Sequence, residues 1–175
     1  MLNMIGNATS AILNRHPRVV YSYGPTFKVE KDMLRETLAV MRKLKLETLD
    51  LPGVQTNRLV FALRRMPDAM VRPILTKIIG GGRGNKLPSF HLDLTGGKEQ
   101  NEVSFHNKTV AEVGLDNGVS VPVNAALADI LIGLVRKESD YQKYNGQPQR
   151  LVADVDKYRQ AAKSGTTPLL RDNSA

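Results

Sequence analysis

The chain has no cysteine and no tryptophan among its 175 residues, and aromatic residues make up only 5% of it. Without cysteine there is no disulfide, no thiolate metal ligand and no thiol nucleophile. With so few aromatics, the stacking platforms that hold single-stranded nucleic acid are scarce. No apolar run approaches the roughly 18 residues that a membrane-spanning helix requires. The N-terminus, MLNMIGNATSAILNR, has no basic residue ahead of its apolar part, and Asn3, Gly6, Asn7, Thr9 and Ser10 interrupt that part, so it does not read as a signal peptide. The expectation from these absences is a cytoplasmic protein with no membrane partner.

What is present fits one domain, or one domain with an appendage. Hydrophobic residues reach 41% and charged ones 24%, enough for a real core under an ordinary surface. Basic residues outnumber acidic ones by 25 to 17, a net charge of +8 that favours anionic partners. They are spread out, however. Arg35, Arg42, Lys43 and Lys45 fall on one expected helix, Arg58, Arg64 and Arg65 on another, and Arg136 and Lys137 on a third. That scatter reads as solvated helical surface rather than a nucleic-acid face.

Hydrophobic spacing organises the rest. Residues 1–14 suit a short helix, and RVVYSYG then alternates like a strand before the Gly24-Pro25 break. From Lys31 the period changes: Leu34, Leu38, Met41 and Lys45 share a face, with Val40 and Leu44 beside it, as in an amphipathic helix that Asp50 to Gly53 stops. Further helices are expected at about 54–66, with Leu59, Val60 and Leu63 inward, and at about 68–79. GGGRGN (80–85) is the strongest breaker. Pro88 can open a short helix that Gly96-Gly97 ends. A long helix follows through Val103, Val110 and Val113, closing at Gly114 to Gly118. SVPVNAALADILIGLV then places Val123, Leu127, Ile130, Leu131 and Leu134 on one stripe, and a last helix at about 148–162 carries Leu151, Val155 and Tyr158. The expected fold is mainly α, a helical bundle with a short strand-like segment near its start. Its parts are an N-terminal piece (1–30), a helical domain (31–162) and a loose tail (163–175).

Three local patterns bear on chemistry. GGGRG resembles a phosphate-cradling loop, but a helix rather than a strand precedes it and the G-x-G-x-x-G spacing is missing, so a flexible connection is the better reading. Glu102 and His106 are four apart on one helical face, and His91-x-Asp93 offers two more donors for Zn or non-haem Fe. An i, i+4 Glu–His pair is more often a surface hydrogen bond, and no metal is expected. Ser89, Asp93 and Glu102 form a polar cluster with no histidine placed to activate the serine. On local grounds a reaction site and a joint between helices remain equally good readings.

The longer string LPSFHLDLTGGKEQNEVSFHNKTVAEVGLDNGVSVPVNAAL resembles the C-terminal domain of the ketopantoate reductase (2-dehydropantoate 2-reductase) family. The resemblance is carried by Pro88-Ser89, Asp93, Lys98, Glu102, Phe105, Asn107, Gly114, Gly118-Val119 and Pro122-Val123-Asn124. It runs clearly over residues 86–135 and more loosely back to about 31. It implies a helical bundle of the 6-phosphogluconate-dehydrogenase type that supplies the acid and part of the substrate pocket in an NADP-dependent reduction of a 2-oxo acid. A Rossmann domain holds the nucleotide. By resemblance Ser89 binds the substrate's carboxylate or hydroxyl, and Glu102 orients the catalytic lysine. Such a proton donor is worth on the order of 10² to 10⁴ in rate, because hydride delivery builds negative charge on the ketone oxygen.

Two departures from the family pattern stand out. The family's lysine belongs to a Lys-x3-Asn-x3-Asn pattern. Setting its middle asparagine on Asn57, a substrate-binding position, puts Gly53 where the lysine belongs and Phe61 at the second asparagine, leaving Lys86 as a stand-in donor. No G-x-G-x-x-G follows an N-terminal strand either, so NADP binding requires a Rossmann domain in cis or in trans. The expected function is therefore the substrate and homodimerisation domain of such a reductase, the Val123–Leu134 stripe being the candidate for pairing. A non-catalytic interaction domain of the same fold is the alternative, with a basic nucleic-acid-binding domain behind it.

Overall fold

Helices form over most of the first fifty positions, including a stretch whose apolar spacing is strand-like. The computed structural model describes residues 1–50, 55–82 and 102–166, with the backbone alone for 78–82 and 102–105. A 3-10 turn (Leu2–Met4) leads into α1 (Asn7–Leu13), α2 (Pro17–Ser22) and α3 (Gly24–Lys43). There follow α4 (Thr56–Arg65), α5 (Asp68–Gly82), α6 (Glu102–Asp116) and α7 (Pro122–Val135), then a second 3-10 turn (Tyr141–Lys143) and α8 (Pro148–Lys163). The mainly-α expectation holds, and no strand occurs among the described residues.

The strand-like reading of RVVYSYG is corrected: α2 covers it, and α3 starts at Gly24. In a strand Val19 and Tyr21 would share a face, yet Val19 is 51% exposed whereas Val20 and Tyr21, neighbours in sequence, are 2% and 1% exposed. Two prolines drive the helical outcome. Pro17 and Pro25 each sit in the first turn of a helix, where their missing N–H costs nothing and their fixed φ is already helical. The His16 ring nitrogen accepts the Arg18 N–H at 3.2 Å as an N-cap. β-branched residues only weakly resist helix, and burial decides. Residue 31, where the helical domain was expected to start, lies inside the continuous α3.

At its other end α3 stops at Lys43, before the expected Asp50–Gly53 stop. Lys45 takes the left-handed conformation (φ 57°), its N–H meeting the Arg42 carbonyl, while the Leu46 N–H reaches back to the Met41 carbonyl. That pair of bonds closes a helix, usually with glycine in the left-handed place. Gly118 does the same at the end of α6, where φ is 66°. Leu44 and Lys45, expected on the helix, are exposed beyond it. The first three residues of GGGRGN, Gly80 to Gly82, remain within α5.

Polar side chains of α3 close the ends of its neighbours. The Glu30 carboxylate accepts the Gly6 N–H (2.8 Å), the Thr9 hydroxyl (2.5 Å) and the Tyr21 phenol (2.7 Å), which anchors the start of α1. Burial holds Glu30 above the ordinary carboxylate range against the pull of those three donors. Gly6 is needed there: its φ is 66°, and a Cβ would lie 3.1 Å from Pro17. Lys31 donates to the Met66 carbonyl (3.0 Å) and pairs with Asp68 (2.5 Å), joining the end of α4 to the start of α5. Arg35 donates to the Leu63 carbonyl at 2.7 Å. Asp32 pairs with Arg159 of α8 at 2.6 Å.

The apolar side of α3 supplies Phe27, Met33, Leu34 and Leu38 to one continuous core shared with Ile12, Leu63, Leu75, Leu127, Leu131 and Leu151. Residues of the 1–30 piece therefore share a core with those of the 31–162 domain. The Val123–Leu134 stripe is buried within the same core, so the face suggested for pairing two chains is already covered inside one. Because Lys31 serves two helix ends from a buried position, Lys31→Met, which keeps the apolar stem, should cost about 1–3 kcal/mol by stranding the Met66 carbonyl. Urea unfolding should show the midpoint falling at unchanged slope, and an unmoved midpoint would refute the capping role.

Candidate functional site

Two polar features set α6 apart from an ordinary core helix. The first ties it to α7 and α3. Asn107, buried in α6, donates its side-chain amide to Asn124 Oδ1 at 3.0 Å. Asn124 in turn donates its own amide to the Met33 carbonyl (3.1 Å) and to Glu36 (2.8 Å). Glu36 also accepts the backbone N–H groups of Val123 and Asn124, both at 2.9 Å. Desolvation pushes its carboxyl up to about 7, against the pull of these donors and with the help of the Asp32 charge.

The second feature belongs to α1 and α6, two helices that pack on each other. Asn7 and Ser10 are one turn apart on α1 and are 7% and 1% exposed. Asn7 donates to the Asn3 carbonyl at 3.2 Å, but its Oδ1 has no partner among the described residues. The same is true of Ser10 Oγ and of His106 Nδ1 on α6. These are the buried side-chain atoms of the described residues that lack a partner, and all three belong to two helices that pack on each other. A buried polar atom left alone costs about 1–3 kcal/mol, so each of these three atoms is expensive to keep.

The residues singled out from sequence fare unevenly. Glu102 is the first residue of α6, the helix that meets this seam; its side chain lies outside the description. Gly53, Lys86, Ser89, His91 and Asp93 fall outside the described residues altogether. Asn57 is on the surface in the first turn of α4, its Oδ1 accepting the Thr48 hydroxyl (2.7 Å) and its N–H donating to Asp50 (2.9 Å). Phe61, one turn on, is 59% exposed. Among the described residues no three His, Asp or Glu side chains gather to hold a metal. No described helix is long and apolar enough to cross a membrane.

Residue-by-residue reading missed Asn7, Glu30 and Glu36. One signal for Asn7 was present: Asn3 and Asn7 stand four apart at the very start of the chain, the spacing of the two asparagines in the family's lysine pattern. Glu30 and Glu36 gave no such signal, since a carboxylate on an amphipathic helix looks like surface charge.

Comparison with known proteins agrees with the resemblance. The family model described as the C-terminal domain of ketopantoate reductase, PanE/ApbA, matches residues 1–135. No curated protein and no solved structure matches the chain. The match begins at residue 1, so it takes in the N-terminal turn, α1 and α2 as well as the string from Pro88 to Asn124, and it ends at the last residue of α7. An all-helical fold with the spaced Pro-Ser, Glu and Pro-x-Asn landmarks, matched over most of its length, belongs to the ketopantoate reductase C-terminal domain family.

Proposed function

We propose that this domain forms the substrate side of an NADP-dependent reductase of 2-oxo acids, acting beside a Rossmann domain present in cis or in trans. The observation that carries the reading is the seam of unpartnered buried groups between α1 and α6, inside the family match and at the helix that Glu102 opens. Asn3 and Asn7 supply the asparagine spacing of the family pattern there, and they fit its place better than Asn57, whose groups are engaged on the surface.

The chemistry follows from the polarity of the step. NADPH, when held by the Rossmann domain, would supply a hydride to the ketone carbon, and the oxygen would gain charge that a lysine ammonium would neutralise by giving up its proton. Glu102 orients that ammonium, while Asn7 and Ser10 hold the substrate's oxygens so that the carbonyl carbon stays in line with the hydride. Ser89 supplies a further hydrogen bond to the carboxylate. The chain pairs with a second copy through a surface other than the Val123–Leu134 stripe.

A non-catalytic interaction domain of the same fold is a second reading. It is favoured by the outer face of α4, where exposed Phe61 stands among Arg58, Arg64 and Arg65, which make no ion pair among the described residues.

Activity separates the two readings. The chain joined to its upstream coding sequence should consume NADPH with ketopantoate. Asn7→Ala should cut kcat/KM by about 10²-fold, the typical loss of one positioned hydrogen bond at the reacting oxygen. Asn57→Ala should leave it within about twofold, as a surface change does. No turnover with any 2-oxo acid sinks the reductase reading, and the reverse order of the two variants sinks the placement on Asn7.

The seam also predicts a conflict between stability and binding. Ser10→Ala should raise the unfolding free energy by about 1 kcal/mol, by removing a buried hydroxyl that has no partner, while weakening substrate binding. A Ser10→Ala protein that is less stable in urea would show that the hydroxyl is already satisfied.

A further inference from the structure

We propose that Glu36 is a positioning residue: through Asn124 and Asn107 it fixes the rotation of α6, and with it the turn that carries Glu102 and His106. This rests on the reading of the α1–α6 seam as the substrate wall.

The N-terminus of α7 cannot cap itself. Val121 occupies the N-cap with no acceptor in its side chain, and Pro122 follows at the first helical position. The next two N–H groups, of Val123 and Asn124, point at Glu36 on another helix. A carboxylate there is favoured by the helix dipole and by two backbone donors at once. The Asn124 side chain adds a third donor to the same carboxylate and spends its remaining polar capacity on Met33 and Asn107. Moving Glu36 thus moves Asn124, and moving Asn124 releases Asn107.

What the buried amide pair adds is direction. The small apolar cluster beside it joins Val40 of α3, Ala111 and Val113 of α6, Val119 and Val121 of the connecting turn and Ala125 of α7, with Gly114 close against Val121. Apolar attraction is non-directional, whereas an amide-to-amide bond weakens steeply once it is bent. Asn107 is the neighbour of His106 and lies five positions after Glu102. A rotation that broke its bond would swing both residues relative to α1.

The device is sensitive to protonation. A protonated Glu36 loses one acceptor while three donors still converge on it. The charged group acting on it is Asp32, one turn earlier on α3, itself paired with Lys28 and with Arg159 of α8. From α7 it meets uncharged Val123 and Asn124, and the titratable groups of α6 next to Asn107 are His106 and the Lys108–Glu112 pair. Because folding raises the carboxyl to about 7, its contribution to stability is present below the unfolded carboxylate value and is lost as pH rises through about 7.

Backbone NMR of the full chain from pH 5 to 9 tests the relay without any ligand. In the wild type the amides of residues 102–107 should shift with the same midpoint as those of Val123 and Asn124. Glu36→Gln should abolish that shared shift and flatten the thermal midpoint over the same range, while Glu36→Asp should restore part of both. If residues 123 and 124 titrate and 102–107 do not once His106→Gln has removed the imidazole from the reporting segment, Glu36 is a local cap and the relay is refuted; that titration decides this even if Glu36→Gln fails to fold. Loss of reductase activity in the joined protein would overturn the substrate reading and leave this result standing.

Discussion

Every helix leaves backbone N–H groups bare at its start and carbonyls bare at its end, and in a bundle these ends are pushed against other helices where water cannot reach them. Here one helix answers much of that demand. Along a stretch of α3, Glu30 serves the start of α1, Lys31 and Arg35 serve the end of α4, and Glu36 serves the start of α7. The signs agree with the helix dipoles, acids at N-termini and bases at C-termini. Apolar burial supplies most of the energy, but it is indifferent to small rotations. The directional bonds of α3 select one arrangement, and removing any of them exposes a backbone group with no substitute nearby.

The same logic explains where the net positive charge goes. Lys31, Arg35 and Arg72 spend their donors on carbonyls, Arg72 on those of Tyr21 and Ser22 at the end of α2. Lys143 and Lys157 pair with one carboxylate, Asp154, with Arg150 close by, and hold it down to about 2 although burial opposes them. Arg35 was counted as solvated surface from sequence, yet it works as a cap. Lys31, Arg35 and Arg72 are thus engaged by the chain's own helix ends, and their presence alone does not argue for an anionic ligand.

Helices with one long apolar stripe were legible, because burial and periodicity coincide: α7 and α8 fall where Val123, Leu127, Leu131, Leu151 and Val155 place them. Gly118 gave the end of α6 for a physical reason, the left-handed turn that glycine enters freely. Lys45 and Lys137 adopt the same conformation without glycine, so the end of α3 was misread. The α2 segment was hidden because its Val-Val-Tyr run favours a strand locally, while two prolines and the burial of adjacent residues favour a helix. At the candidate site, the family landmarks pointed to α6. The α1 side stayed unread because its asparagine spacing sits in a segment whose burial no periodicity announces.

That burial is what gives the α1–α6 seam its meaning. All seven residues of α1 are buried, including Asn7, Thr9 and Ser10, so a purely structural helix in this place would gain from alanine or leucine at each polar position. Thr9 is accounted for by Glu30, which needs its hydroxyl. Asn7 and Ser10 have no comparable obligation: one amide hydrogen reaches Asn3, and the remaining oxygens face no described donor. The chain elsewhere takes care to satisfy its buried ends, even by sending Glu36 across to another helix. Polar atoms left unmatched in such a molecule are costly to keep, and here they are confined to two helices that pack on each other.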